Sequence, residues 1–265
     1  MNLIESKDNT LIKYVRKLRK KKYRVQEEKF LVEGFRFVEE AIKSTFQVSH
    51  VLIAESAIEK CNSFNILNSV DENTKVCLVK DEILKELCET NNPQGIIAVV
   101  DNKKISIEDK NGFYILIDKV QDPGNMGTII RSANASGALG VIVTKGTVDI
   151  YNDKTLRSTM GSIFKIPIIE DNDFEVINDL KSKGFKLIVS SLDTENNFFD
   201  IDLTKKVIIC VGNEGNGVSD EVYNLGDERV KIPMPGDAES LNVGVAASIM
   251  MYEVEIGRAH VWAPV

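Results

Sequence analysis

The 265-residue sequence has only four cysteines, two histidines, six prolines and one tryptophan. Cys61, Cys77, Cys88 and Cys210 are widely spaced and form no C-x-x-C pair. With the cysteines so spaced and only two histidines, a zinc cluster is not expected, and no metal is expected. No apolar run approaches the roughly 18 residues of a membrane span. The opening MNLIESKDNT lacks the apolar stretch of a secretory signal. A reduced, cytoplasmic protein with no membrane contact is expected. Hydrophobic residues at 43% and charged residues at 28% provide for a sizeable core and exclude global disorder.

An excess of positive charge is also missing. Lys+Arg 33 against Asp+Glu 40 gives −7, which taken whole points away from nucleic acid. The sum hides an asymmetry. Residues 1–36 carry +6, leaving −13 for the rest, and residues 11–24 hold eight basic residues and no acid. Such asymmetry between segments is more informative than the net value.

The periodicity divides the chain. Leu11, Tyr14, Val15 and Leu18 recur at helical spacing, so 11–24 reads as one basic helix, with Asn9-Thr10 ahead as a cap. A second helix is predicted at about 34–44, strands at Val51–Ala54, Val76–Val79 and Ile96–Val100, and a helix at about 81–89. That is a compact βαβ-type module. Residues 101–112 are polar and read as a linker. Continuous apolar runs follow at Phe113–Ile117, Val141–Thr144, Leu187–Ser190 and Val207–Val211. Helical stretches fit about 127–137, 153–160, 173–183 and 242–255. Strands alternating with helices predict a mostly parallel α/β sheet covered on both faces. The domains expected are 1–105, 106–256 and a tail at 257–265 that breaks the pattern and could be non-native.

Three segments do not read as plain scaffold. Asp118–Gly137 follows a buried strand, where open α/β sheets bind ligands. Asp122-Pro123-Gly124-Asn125 is turn chemistry, with a helix from near Gly127, so Asn125 and Arg131 could meet at one site. A tight turn and a solvated arginine is the bland alternative. Ile208–Ser219 also ends a strand in a glycine-rich loop. Its G-x-x-G-x-G order is not that of a dinucleotide fold, and it has no P-loop lysine. Glu214 within it would repel phosphate and suits a cationic or hydroxyl-bearing ligand. In Val230–Glu253, Ile232-Pro233-Met234-Pro235-Gly236 must be a rigid loop, because each proline removes a backbone donor. Ser240-Leu241-Asn242 then leads into a helix that is apolar on most sides, hence buried or at an interface. Ser240 or Asn242 could simply cap that helix.

Read in order, N-x-G-x-x-x-R-x-A from Asn125, G-x-E-G-x-G from Gly212, and I-P-M-x-G…S-L-N-V from Ile232 resemble the SpoU/TrmH branch of the SPOUT RNA methyltransferases. The likeness spans about residues 113–255. Upstream, Phe30-Leu31-Val32-Glu33-Gly34 with Arg36 resembles the substrate-binding domain often found ahead of that catalytic domain. The resemblance implies a C-terminal α/β domain with a trefoil knot, S-adenosyl-methionine as cofactor, and methyl transfer to a ribose 2′-hydroxyl. It places Gly212, Glu214, Ile232, Met234 and Leu241 at the cofactor. It makes Arg131, Asn125, Glu214, Ser240 and Asn242 the catalytic set, with Arg131 acting on the hydroxyl. Arginine is locked in its charged form, so electrostatic or phosphate-holding roles suit it better than a literal base. The resemblance also implies a homodimer through the knotted domain. An RNA partner gives the basic segment a use, through Lys13, Arg16, Lys17, Arg19, Lys20, Lys21 and Arg36. The two-domain layout favours rRNA over tRNA. Two rivals remain: a non-catalytic RNA-binding protein of the same fold, against which the intact motifs speak, and a nicotinamide oxidoreductase, against which the glycine order speaks.

Overall fold

A computed structural model of the protein describes residues 3–103 and 107–262. The expected boundary between residues 105 and 106 and the end of the expected tail, 263–265, lie outside the described residues. The chain forms two compact units, residues 1–103 with 151–164, and residues 104–150 with 165–265.

In the first unit the elements run β1 (Leu3–Ile4), α1 (Thr10–Leu18), α2 (Lys21–Glu27), β2 (Lys29–Glu33), α3 (Phe35–Lys43), β3 (Val48–Ala54), α4 (Ile58–Ser63), α5 (Ile66–Ser69), β4 (Lys75–Val79), α6 (Asp81–Leu87) and β5 (Ile96–Asp101). The sheet order is β1-β4-β3-β5-β2. β5 runs antiparallel to both its neighbours, so the module is mixed rather than the plain βαβ unit the periodicity predicts. Strand β2 has no alternation to announce it, since Phe30 to Glu33 are all buried.

The basic stretch 11–24 is two helices, not one. Lys20 sits in extended backbone between α1 and α2. Arg24 Nη1 donates to the carbonyls of Leu18 at 2.9 Å and Arg19 at 2.7 Å. It thereby satisfies acceptors that a helix C-terminus leaves open, and the break is stable.

The second unit begins with β6 (Phe113–Ile117), α7 (Pro123–Ala135) and β7 (Gly140–Thr144). Next in the chain is α8 (Asp153–Ser158), which folds with the first unit. The remaining elements are β8 (Ile168–Asp171), α9 (Glu175–Ser182), β9 (Lys186–Ser190), β10 (Val207–Val211), α10 (Asp220–Leu225), β11 (Glu228–Val230) and α11 (Val243–Trp262). The six strands are all parallel, in the order β11-β9-β10-β6-β7-β8. Every residue of β6, β7 and β10 is buried, as helices on both faces require.

The chain winds outward from β6 through β7 to β8, then returns on the other side of β10. The reversal therefore lies at the β6–β10 pair, and the crevice beyond the carboxyl ends of such a pair is where open α/β sheets receive ligands.

Helix α7 starts four residues earlier than its apolar pattern indicates. Asp122 caps it by accepting from the Asn125 amide at 2.8 Å, and Pro123 takes the first turn. Proline fits there because that turn has no amide partner to lose. Helix α11 likewise runs on past residue 255, to Trp262.

Candidate functional site

The loops leaving the carboxyl ends of β9 and β10, with the segment between β11 and α11, enclose a cavity of about 620 Å³. That lies within the range of about 300–1,000 Å³ for small-molecule sites. Gly212, Glu214, Ile232, Met234, Ser240, Leu241 and Asn242 all line it. So do Ser190, Ser191, Leu192 and Asp193, which the motifs do not reveal. Their signal was positional, since they follow a buried strand beside the switch point.

The β10–α10 loop closes on itself. The Asn213 amide donates to the Gly217 carbonyl at 2.8 Å, and the Gly217 amide returns the bond at 2.9 Å. Asn213 Oδ1 accepts from the amides of Gly215 and Asn216, both at 3.0 Å. Its Nδ2 donates to the Lys119 carbonyl at 2.9 Å, tying the loop to the end of β6. Below, the fully buried Asp118 accepts from the Ser219 amide and the Thr144 hydroxyl, each at 2.6 Å. Asp118 was another residue no motif singled out.

Glu214 is turned toward the start of α7. Its carboxylate accepts from the amides of Gln121 and Asp122 and from Asn125 Nδ2, each at 3.0 Å. Burial pushes this carboxyl up, but those hydrogen bonds together outweigh it and leave it below the usual carboxylate value. Asn125 Oδ1 in turn accepts from Asn242 Nδ2 at 2.9 Å. Asn242 Oδ1 accepts from the amides of Gly244 at 2.9 Å and Val245 at 3.2 Å, which caps α11. A single chain of side-chain hydrogen bonds thus joins the glycine-rich loop, the first turn of α7 and the first turn of α11. Ser240 is exposed at the cavity rim.

Arg131 stands apart from this network. It is exposed on α7, on a face it shares with Thr128 and Ala135. Among the described residues no hydrogen bond joins it to Asn125, whose amide is committed to Glu214 and Asn242.

In the first unit the expected RNA-contacting residues separate by environment. Lys13 pairs with Asp8 at 2.9 Å and Arg16 with Glu86 at 3.8 Å. Lys17 lies 5.8 Å from the centre of the Tyr23 ring. Lys20, Lys21 and Arg36 are exposed. Arg19 is turned inward, its side chain 15% exposed.

The SpoU rRNA Methylase family profile matches residues 112–252, and the MRM3-like substrate binding domain profile matches residues 9–98. The chain is 36% identical to the Bacillus subtilis protein named 23S rRNA (guanosine(2553)-2′-O)-methyltransferase RlmP, over 96% of this chain and 99% of that one. It is 33% identical to a 23S rRNA (uridine(2479)-2′-O)-methyltransferase of Streptomyces viridochromogenes, covering 84% of this chain and 81% of that one. Among solved structures, the SpoU methyltransferase AviRb of Streptomyces viridochromogenes, in complex with AdoMet, superposes with a TM-score of 0.87 at 30% identity, over 97% of this chain and all of that one (100%). Sequence and fold agree with these relatives over at least four fifths of both partners, and the chain belongs to the SpoU rRNA methylase family.

Proposed function

We propose that the protein transfers a methyl group from S-adenosyl-methionine to a ribose 2′-hydroxyl of ribosomal RNA in the cytoplasm. The observation that carries this reading is the Glu214–Asn125–Asn242 chain, which ties two segments lining one cavity to each other through the first turn of α7. Two relatives are named for 23S rRNA, one at a guanosine and one at a uridine, which supports the RNA class and leaves the base open. The reading carries with it a trefoil knot in the second unit and an RNA-docking role for the first. The intact motif residues favour it over a non-catalytic RNA-binding protein.

The cavity suits the cofactor. Ile232, Met234 and Leu241 offer apolar surface for an adenine ring. Gly212 lets the backbone approach closely. The cavity has no phosphate cradle, and S-adenosyl-methionine needs none. Held there, the cofactor supplies an electrophilic methyl on a sulfonium. Glu214 does not serve as the base, because its oxygens already accept three donors. It fixes the start of α7 against the loop. Asn125 and Asn242 extend that constraint to α11, and Ser240 faces the rim. Arg131 holds the incoming ribose-phosphate and stabilises the oxygen as it gives up its proton to solvent water.

The reading also includes a second copy of the chain. Val245, Ile249, Tyr252 and Ile256 form one stripe along α11. Val245, Tyr252 and Ile256 are 48%, 45% and 49% exposed. An exposed apolar stripe beside the helix that carries Arg131 fits a self-complementary interface at the active site. Light scattering should give twice the chain mass. Tyr252→Glu combined with Val245→Glu should give a monomer with little transfer; a fully active monomer would remove the dimer from the mechanism.

The overall reading is tested with radiolabelled S-adenosyl-methionine and ribosomal RNA from cells lacking the protein. Label should appear at one nucleotide that resists alkaline cleavage, since a 2′-O-methyl blocks attack on the adjacent phosphate. Label on a base, or none in any RNA, would overturn it.

A further inference from the structure

The first unit contains a second cavity of about 350 Å³, between the α1–α2 corner and α8. Arg19, Arg24, Lys154 and Arg157 line it, against the carboxylates of Glu89 and Asp153. Cations therefore outnumber anions in its wall. Arg19 forms the floor. Its guanidinium lies 3.7 Å from Glu33, 3.9 Å from Glu89 and 3.9 Å from Asp153. Those distances give Coulombic attraction without a hydrogen bond. One hydrogen bond reaches the Leu87 carbonyl. Its buried Nε has no hydrogen-bond partner. Burial pulls the Arg19 pKa down, while Glu89 and Glu33 push it up.

Two of the three carboxylates around Arg19 are engaged elsewhere. Glu33 accepts from the Glu89 amide at 3.1 Å and from the Thr90 hydroxyl, and Asp153 pairs with Arg157 four residues on. The guanidinium is thus held in place with donor capacity left over. A guanidinium that lines a polar cavity with one donor unfilled calls for an acceptor. The acceptor that suits a planar guanidinium beside further cations is a phosphate oxygen. Lys17, Lys21 and Lys22 on the same two helices, and Lys20 between them, are exposed and without ion pairs among the described residues. They would carry a strand past the opening rather than a small free anion.

We propose that this cleft is a phosphate subsite in which one RNA phosphodiester is seated against Arg19, with Lys154 and Arg157 at the rim. The proposal rests on the RNA reading above and adds to it a defined anchoring point. It assigns Arg19 a different part from the lysines around it, since they supply a diffuse field and Arg19 a fixed, oriented contact.

The rim can be tested with Arg19 itself left in place, because Lys154 and Arg157 are exposed. Lys154→Gln with Arg157→Gln should weaken rRNA-fragment binding about tenfold and make the salt slope shallower by roughly one. Lys43→Gln with Lys60→Gln removes the same charge from exposed positions outside the cleft and should have much less effect. Arg19→Lys keeps the charge and loses the planar fork, and should also weaken binding. S-adenosyl-homocysteine affinity should be unchanged in all of them. Inorganic phosphate at millimolar concentration, at constant ionic strength, should compete with a short oligoribonucleotide on the wild type and not on the rim variant. If cleft and control pairs shift RNA binding equally, or neither shifts it, the subsite is refuted. Wild-type methyl transfer to rRNA then separates the two ideas. Transfer present with unshifted cleft variants removes only the subsite, and transfer absent from every RNA removes the function itself.

Discussion

Arg131→Ala should leave the protein folded and able to bind S-adenosyl-homocysteine, yet reduce methyl transfer by about 10²–10³, the usual cost of removing one transition-state donor. Two observations set this expectation. Arg131 is exposed with no partner among the described residues, so its loss falls within the roughly ±0.5 kcal/mol typical of surface positions. It also does not line the cofactor cavity, so cofactor affinity has no reason to change. What Arg131 does, it does to RNA. The kinetic split shows which part. Loss of a ground-state phosphate contact raises KM with kcat intact, whereas loss of charge stabilisation on the forming alkoxide lowers kcat and kcat/KM together. The second pattern is expected. Arg131→Lys should recover only part of the activity, because a point charge does not reproduce the fork. Full activity in Arg131→Ala would remove this residue from the mechanism.

Much of the site was legible in the sequence because its chemistry is carried by contiguous residues. Gly212, Ile232, Met234 and Leu241 follow from two short motifs, and they meet in one cavity. What the motifs conceal is how the side chains divide the work. Glu214 reads as a carboxylate offered to a ligand, and it grips the backbone of Gln121 and Asp122 instead. Asn125 reads as a partner for Arg131, and it bonds Glu214 and Asn242. Both are long-range pairings, and local spacing holds no information about them. The fold shows the same limit. The buried runs of β6, β7, β9 and β10 are visible because a strand covered on both faces is continuously apolar. The short edge strands β8 and β11 contain Glu170, Asp171, Glu228 and Arg229 and give no such signal. The 11–24 stretch keeps helical periodicity, yet it breaks where Arg24 reaches back to the carbonyls of Leu18 and Arg19.

Gly212→Ala should weaken binding of S-adenosyl-homocysteine roughly a hundredfold while leaving the fold intact. A Cβ at this position would lie 2.2 Å from the Gly217 carbonyl carbon, 2.3 Å from the Val218 nitrogen and 2.4 Å from the Gly217 oxygen. All three are backbone atoms, so no side chain can rotate away. Upstream, Val211 is held in the middle of the parallel sheet, paired with Ile117. Downstream, the Ser219 amide is held by Asp118. The strain can therefore be relieved only between them, by opening the paired bonds of Asn213 and Gly217. At about 1 kcal/mol for each of the two loop bonds, and about 1 more in all for the exposed Glu214 clamp on α7, the closed loop becomes disfavoured by about 3 kcal/mol, or roughly a hundredfold. Glu214→Ala removes the clamp and leaves the loop bonds in place, so it should weaken binding by only about tenfold. The order of the two variants is the test. Isothermal titration with S-adenosyl-homocysteine should rank Gly212→Ala below Glu214→Ala, with rRNA-fragment binding retained in both. Wild-type affinity in Gly212→Ala would show that the closed loop is not what holds the cofactor.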